Sequence, residues 1–94
     1  MKEKSINIKL TEENIDEFAR AFLLRKEYLS AASIFKFKII AFGKTEANYN
    51  LLAMSYEAAG EKIKALQIYQ EALLTFINNQ NFAQRISKMM AELN

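Results

Sequence analysis

Along the chain, apolar residues recur at helical spacing in five stretches. Over 12–25 they fall at Ile15, Phe18, Ala19, Phe22 and Leu23, an i, i+3, i+4, i+7, i+8 stripe that predicts an amphipathic helix. Thr11 stands where an N-cap belongs, and Glu12 and Glu13 follow at the positive end of the helix dipole. Residues 28–42 are apolar nearly all round (Leu29, Ala31, Ala32, Ile34, Phe35, Phe37, Ile39, Ile40, Phe42), which predicts a helix buried on more than one side and closed by Gly43. Residues 46–59 align Tyr49, Leu52, Ala53 and Tyr56 ahead of Gly60, and residues 62–76 align Ile63, Ala65, Leu66, Tyr69, Ala72, Leu73 and Phe76. After a connection marked by Asn78, Asn79 and Asn81, residues 82–93 carry Phe82, Ile86, Met89, Met90 and Leu93 on one face. Two glycines and no proline are too little punctuation for an all-β domain, so the expected class is all-α, antiparallel helix hairpins joined by short loops.

A plain bundle would give the same five stripes; an internal repeat separates the possibilities. A shift of 34 residues superposes Glu12 on Glu46, Asn14 on Asn48, Ala19 on Ala53, Glu27 on Glu61, Ala31 on Ala65, Ile34 on Ile68 and Phe42 on Phe76. Phe18/Leu52, Phe22/Tyr56, Leu29/Ile63 and Phe35/Tyr69 match in kind. Small residues recur where two helices of a hairpin must approach closely, and aromatics recur where the space beside them must be filled.

In this pattern the chain resembles the tetratricopeptide repeat family. Residues 46–79 carry it best: Tyr49 in the place of the usual Trp, Leu52, Ala53 and Tyr56, then Gly60 at the turn, then Ala65, Tyr69 and Ala72, with Ile77 where the family closes on Pro. Residues 12–45 form a degenerate copy, with Ile15, Phe18, Ala19, Phe22, Ala31 and Phe35 in phase, Lys26 in place of the turn glycine, Lys38 in place of an inward Ala and Gly43 at the Pro site. Residues 80–94 continue in phase, with Ala83, Ile86, Ser87 and Met90, and look like a terminal capping helix. The expected organisation is an extension over 1–11, a first repeat over 12–45, a second over 46–79 and a cap over 80–94.

The resemblance implies a superhelix whose first helices line a concave groove. The groove residues it implies are Asp16, Glu17, Arg20, Leu23 and Leu24, then Asn50, Leu51, Met54, Glu57 and Ala58, then Gln84, Arg85 and Lys88. Leu51, Met54 and Ala58 beside Leu23 and Leu24 would give an apolar centre with an adaptable Met, and the rim is charged, which suits an amphipathic helix or apolar peptide of another protein. Repeats that grip chaperone C-terminal tails use Lys, Asn and Arg at positions that here hold Asp16, Arg20, Leu51, Asn81 and Arg85, so the resemblance does not extend to that clamp. Small free-standing chains of this kind are similar to secretion chaperones and assembly adaptors. Two repeats are fewer than the three an independent array usually needs, so a partner or self-association would supply the missing burial.

Composition narrows the chemistry. With no Cys and no His there is no disulfide, thiolate or imidazole chemistry, no serine has a candidate base, and no Gly-rich phosphate loop occurs. The cluster Glu12, Glu13, Asp16 and Glu17 reads as helix-dipole electrostatics on a solvated face rather than a metal site. The expectation is therefore a non-enzyme with no cofactor and no metal. A net charge of +2 does not single out nucleic acid. The block Lys36, Lys38 and Lys44 interleaves with Phe35, Phe37 and Phe42, but Phe35 and Phe42 are expected in the core, where they cannot stack on bases, so a nucleic-acid-binding helical repeat is the weakest alternative. Phe37 and Ile40 point away from the hairpin core and are a candidate second interface, covered either by the extension, where Ile6, Ile8 and Leu10 alternate like a strand, or by a second chain in a homodimer. The opening residues lack the apolar core of a signal peptide and no apolar run reaches membrane-spanning length, so a cytoplasmic protein is expected.

Overall fold

A computed structural model describes residues 11–93, and all the regular structure among them is helical: α1 (Glu12–Leu24), α2 (Tyr28–Phe42), α3 (Glu46–Ala58), α4 (Lys62–Thr75) and α5 (Gln80–Leu93). Each helix packs chiefly against its neighbours in sequence, in antiparallel fashion. The last helix begins two residues before its apolar stripe does, because Asn79 caps it. The proposed strand of Ile6, Ile8 and Leu10 lies outside the described residues. None of the described helices is long and apolar enough to cross a membrane.

The 34-residue period is written into the helix ends. Thr11 Oγ1 accepts from the Asn14 amide at 3.1 Å and Thr45 Oγ1 from the Asn48 amide at 3.1 Å, and Asn79 Oδ1 accepts from the Phe82 amide at 2.9 Å. These three caps stand one period apart and satisfy amides that would otherwise lack partners. The turns inside the hairpins also match. Lys26 and Gly60 both adopt positive φ, 61° and 83°, and in both turns the next amide, of Glu27 or Glu61, reaches back to the carbonyl of Phe22 or Tyr56 at 2.9 Å. Lys26 therefore performs the glycine's role at a steric cost that Gly60 does not carry.

Two clusters form the core. Ala19, Ala31, Ala32, Phe35 and Leu52 make one; Tyr49, Ala53, Ala65, Tyr69, Ala72, Phe82 and Met89 make the other; Ile39, Tyr56 and Ile68 pack against both and join them. The paired alanines at 19/53 and 31/65 are all buried, and Phe35 and Tyr69 fill matching places beside them.

Where the two periods differ, the cause is position in the array. Leu52 is 2% exposed, whereas its counterpart Phe18 is 47% exposed: Leu52 packs on the first hairpin, and no described hairpin precedes Phe18. The expectation that α2 is buried on more than one side is not met, since Leu29, Phe37, Ile40 and Phe42 are exposed and its buried residues are Ala31, Ala32, Phe35 and Lys38. α2 packs chiefly against α1 and α3, which leaves its outer side open. Phe42 is likewise not the core residue its phase suggested. Its counterpart Phe76 packs edge-on to Tyr49 with ring centroids 6.2 Å apart, and the first hairpin has aliphatic Ile15 in the tyrosine's place.

Candidate functional site

Two of the depressions between alternate helices share four of their six lining positions one period apart. The first, about 240 Å³, lies between α1 and α3 with α2 as floor and is lined by Asp16, Arg20, Leu23, Phe35, Lys38 and Leu51. The second, about 320 Å³, lies between α3 and α5 with α4 as floor and is lined by Asn50, Met54, Tyr69, Asn81, Gln84 and Arg85. Asp16/Asn50, Arg20/Met54, Phe35/Tyr69 and Leu51/Arg85 are each 34 residues apart. α3 contributes to both, with Leu51 in the first and Asn50 and Met54 in the second.

Lys38 sits in the floor of the first depression. Its side chain is 9% exposed, and Nζ donates to Asp16 Oδ1 at 2.6 Å. Its counterpart Ala72 is fully buried and has no polar side-chain atom, so the lysine brings a charge to a place where the second hairpin has none. Taking an ammonium out of water is costly unless it is paired. Lys38 is thus removed from the basic, aromatic surface considered in the sequence. Phe35 and Leu51 supply the apolar wall, and Arg20 stands exposed at the edge.

The second depression is organised by three side chains from three helices. The Tyr69 hydroxyl donates to Glu57 Oε1 at 2.9 Å, and Arg85 Nη2 donates to both Glu57 oxygens, at 2.6 Å to Oε2. The guanidinium also lies over the Tyr69 ring, 5.7 Å from its centroid. Burial, reinforced by the Glu57 carboxylate, pushes the Tyr69 hydroxyl above the ordinary tyrosine range. The hydrogen bond to Glu57 raises Arg85 further. The triad clamps α3, α4 and α5 together and presents a neutralised, polar wall to the groove.

Of the residues expected in the groove, Asp16, Arg20, Leu23 and Leu51 meet in the first depression and Asn50, Met54, Gln84 and Arg85 in the second. Glu57 stands behind Arg85 as its partner. Ala58 lies elsewhere, beside the α1–α2 turn with Lys26, Tyr28 and Leu29. Glu17, Leu24 and Lys88 are exposed and line neither depression. Phe37 and Ile40 are exposed on the outer side of α2. Reading only the first helices missed the floor, namely Phe35, Lys38 and Tyr69; the signal for it was the matched aromatic pair Phe35/Tyr69 together with the lysine opposite an alanine. Among the described residues, no group of three or more acidic side chains is placed to hold a metal ion.

Comparison of the chain with models of protein families, with curated proteins and with solved structures finds no match. Among the described residues the fold is all-α, five helices packed in sequence with a 34-residue structural period.

Proposed function

We propose that this chain is a tetratricopeptide-like adaptor that binds a helical or extended segment of another protein in the groove between α1, α3 and α5, and that it acts by binding rather than by catalysis. The observation that carries this reading is the pair of depressions lined at 34-residue intervals, which offers a segment two similar seats one period apart. The seats differ in chemistry. The first combines Leu23, Phe35 and Leu51 with the Asp16–Lys38 pair and Arg20, and suits an apolar side chain with an acidic neighbour. The second combines Met54 with Asn50, Asn81 and Gln84, and suits a less strictly chosen side chain that exchanges hydrogen bonds with amides. Shielding an apolar segment of a cargo, as a small assembly or secretion chaperone does, fits this division.

The test is capture of partners from the native host by the wild-type chain and by Met54→Glu, with mass spectrometry of what is retained. Met54 is exposed, so the substitution leaves the core intact. The groove reading expects a defined partner that wild type retains and the variant releases. Equal capture by both chains would contradict it.

A further inference from the structure

The outer faces of α2 and α4 carry large exposed aliphatic side chains at matching places in the period. On α2, Leu29, Ser33, Lys36 and Ile40 follow the 4-3-4 spacing of one helix side. On α4, Ile63, Gln67, Gln70 and Leu74 are the same positions 34 residues on. All four aliphatics are exposed, Ile40 at 78% and Leu74 at 81%, and Ile77 just beyond α4 is exposed as well. The core residues Ala31, Phe35, Ala65 and Tyr69 occupy the other side of the same two helices. Charge is divided along the same line. α1 and α3 carry Glu12, Glu13, Asp16, Glu17, Glu46 and Glu57 against Arg20 alone. The outer helices and the loop after α2 expose Lys36, Lys44 and Lys62 against Glu71, which accepts the Tyr49 hydroxyl, while the Lys64 ammonium turns to α3 and lies over the Tyr56 ring, 5.8 Å from its centroid.

We propose that this outer face docks on an anionic lipid bilayer surface, with Leu29, Ile40, Ile63 and Leu74 seated in the interfacial layer and the lysines among the headgroups. The side chains are apolar and basic together, the combination that binds the plane of an anionic membrane without spanning it. The aliphatics sit at the ends of each stripe, eleven positions and so about 16 Å apart along the helix, with Ser33, Lys36, Gln67 and Gln70 between them. A partner helix would need a continuous strip, whereas a bilayer offers apolar depth under each side chain separately. A second copy docked face to face would set lysine against lysine. Residues 1–10 carry a net positive charge and are a poor electrostatic match for the same surface. In this orientation the acidic side of α1 and α3 faces away from the headgroups, and the groove stays open to a protein partner.

The experiment is co-sedimentation of the full chain with vesicles of phosphatidylcholine alone or containing about 30% phosphatidylserine, at low and high salt. Wild type is expected to sediment with the anionic vesicles and to lose roughly tenfold or more of its binding at high salt, as headgroup attraction is screened. Ile40→Asp/Leu74→Asp and Lys36→Glu/Lys62→Glu are each expected to lose roughly tenfold or more, with helical circular dichroism unchanged because all four side chains are exposed. The proposal is overturned if wild type stays in the supernatant with anionic vesicles or if the aspartate variant binds like wild type. It is equally overturned if light scattering shows a wild-type dimer that the aspartate variant converts to monomer, which would make this face a contact between copies. Loss of vesicle binding with partner capture intact separates this proposal from the groove reading.

Discussion

Removing either half of the Asp16–Lys38 pair is expected to have unequal consequences. Asp16→Ala strands an ammonium whose side chain is 9% exposed and whose only acceptor among the described residues is Asp16 Oδ1. Breaking a buried pair from one side costs about 3–5 kcal/mol, and the 40% exposure of the Asp16 side chain lets water reach the lysine, so the expected loss is about 2–3 kcal/mol. Lys38→Met keeps most of the volume, removes the charge and leaves an aspartate that water can solvate, so it is expected within about 1 kcal/mol of wild type. In the Lys38→Met background, Asp16→Ala should then cost little, giving a coupling of about 2 kcal/mol in the double-mutant cycle. Urea unfolding followed by far-ultraviolet circular dichroism measures all four chains. Thermal midpoints should separate Asp16→Ala from wild type by about 10–20 °C, as expected for a domain of this size. An Asp16→Ala cost below about 0.5 kcal/mol, or the same cost in both backgrounds, would refute the claim that Lys38 is a buried charge held by this one partner.

The hairpin turns give a mirrored pair of predictions: Lys26→Gly should stabilise by about 0.5–1 kcal/mol by relieving a left-handed side chain, and Gly60→Ala should destabilise by about 1 kcal/mol, both read from urea midpoints. Nothing lies within 4 Å of a Cβ built on Gly60, so its cost is backbone conformation alone. Thr45→Ala removes the cap of α3 and should cost about 1 kcal/mol, with Thr45→Asp close to wild type. Burial and nearby carboxylates raise Tyr49 and Tyr69 above their unfolded value, so the stability they contribute is complete below about pH 10 and is lost as pH climbs through the higher folded values. Stability measured across that alkaline range should fall more steeply in wild type than in a Tyr49→Phe/Tyr69→Phe chain.

Helix positions and class were legible because apolar spacing and glycine placement act locally, and the helix ends agree with them to within two residues. The period was legible through Ala19/Ala53 and Ala31/Ala65, since close helix approach leaves little choice of residue. The recurrence of Thr11 and Thr45, and its continuation at Asn79, was equally open to reading, and it is the clearest local mark of the period. Phe18 and Phe42 were not legible as exposed, because they share the phase of more buried counterparts; what differs is the absence of a described hairpin against Phe18 and of a ring like Tyr49 beside Phe42. Lys38 could be seen to occupy an inward site, but whether it points out to solvent or pairs inside depends on Asp16, twenty-two residues away. The Tyr69–Glu57–Arg85 triad was hidden for the same reason: three helices bring it together, and no local spacing announces it.

The most direct test of the central claim is amide chemical-shift mapping of the full chain as a segment of a captured partner is added. The groove account predicts perturbations that cluster on both depressions, at Arg20, Leu23 and Leu51 and at Asn50, Met54 and Arg85, with Ile40 and Leu74 unmoved. Perturbations confined to the outer side of α2 and α4, or to α1 alone, would contradict it.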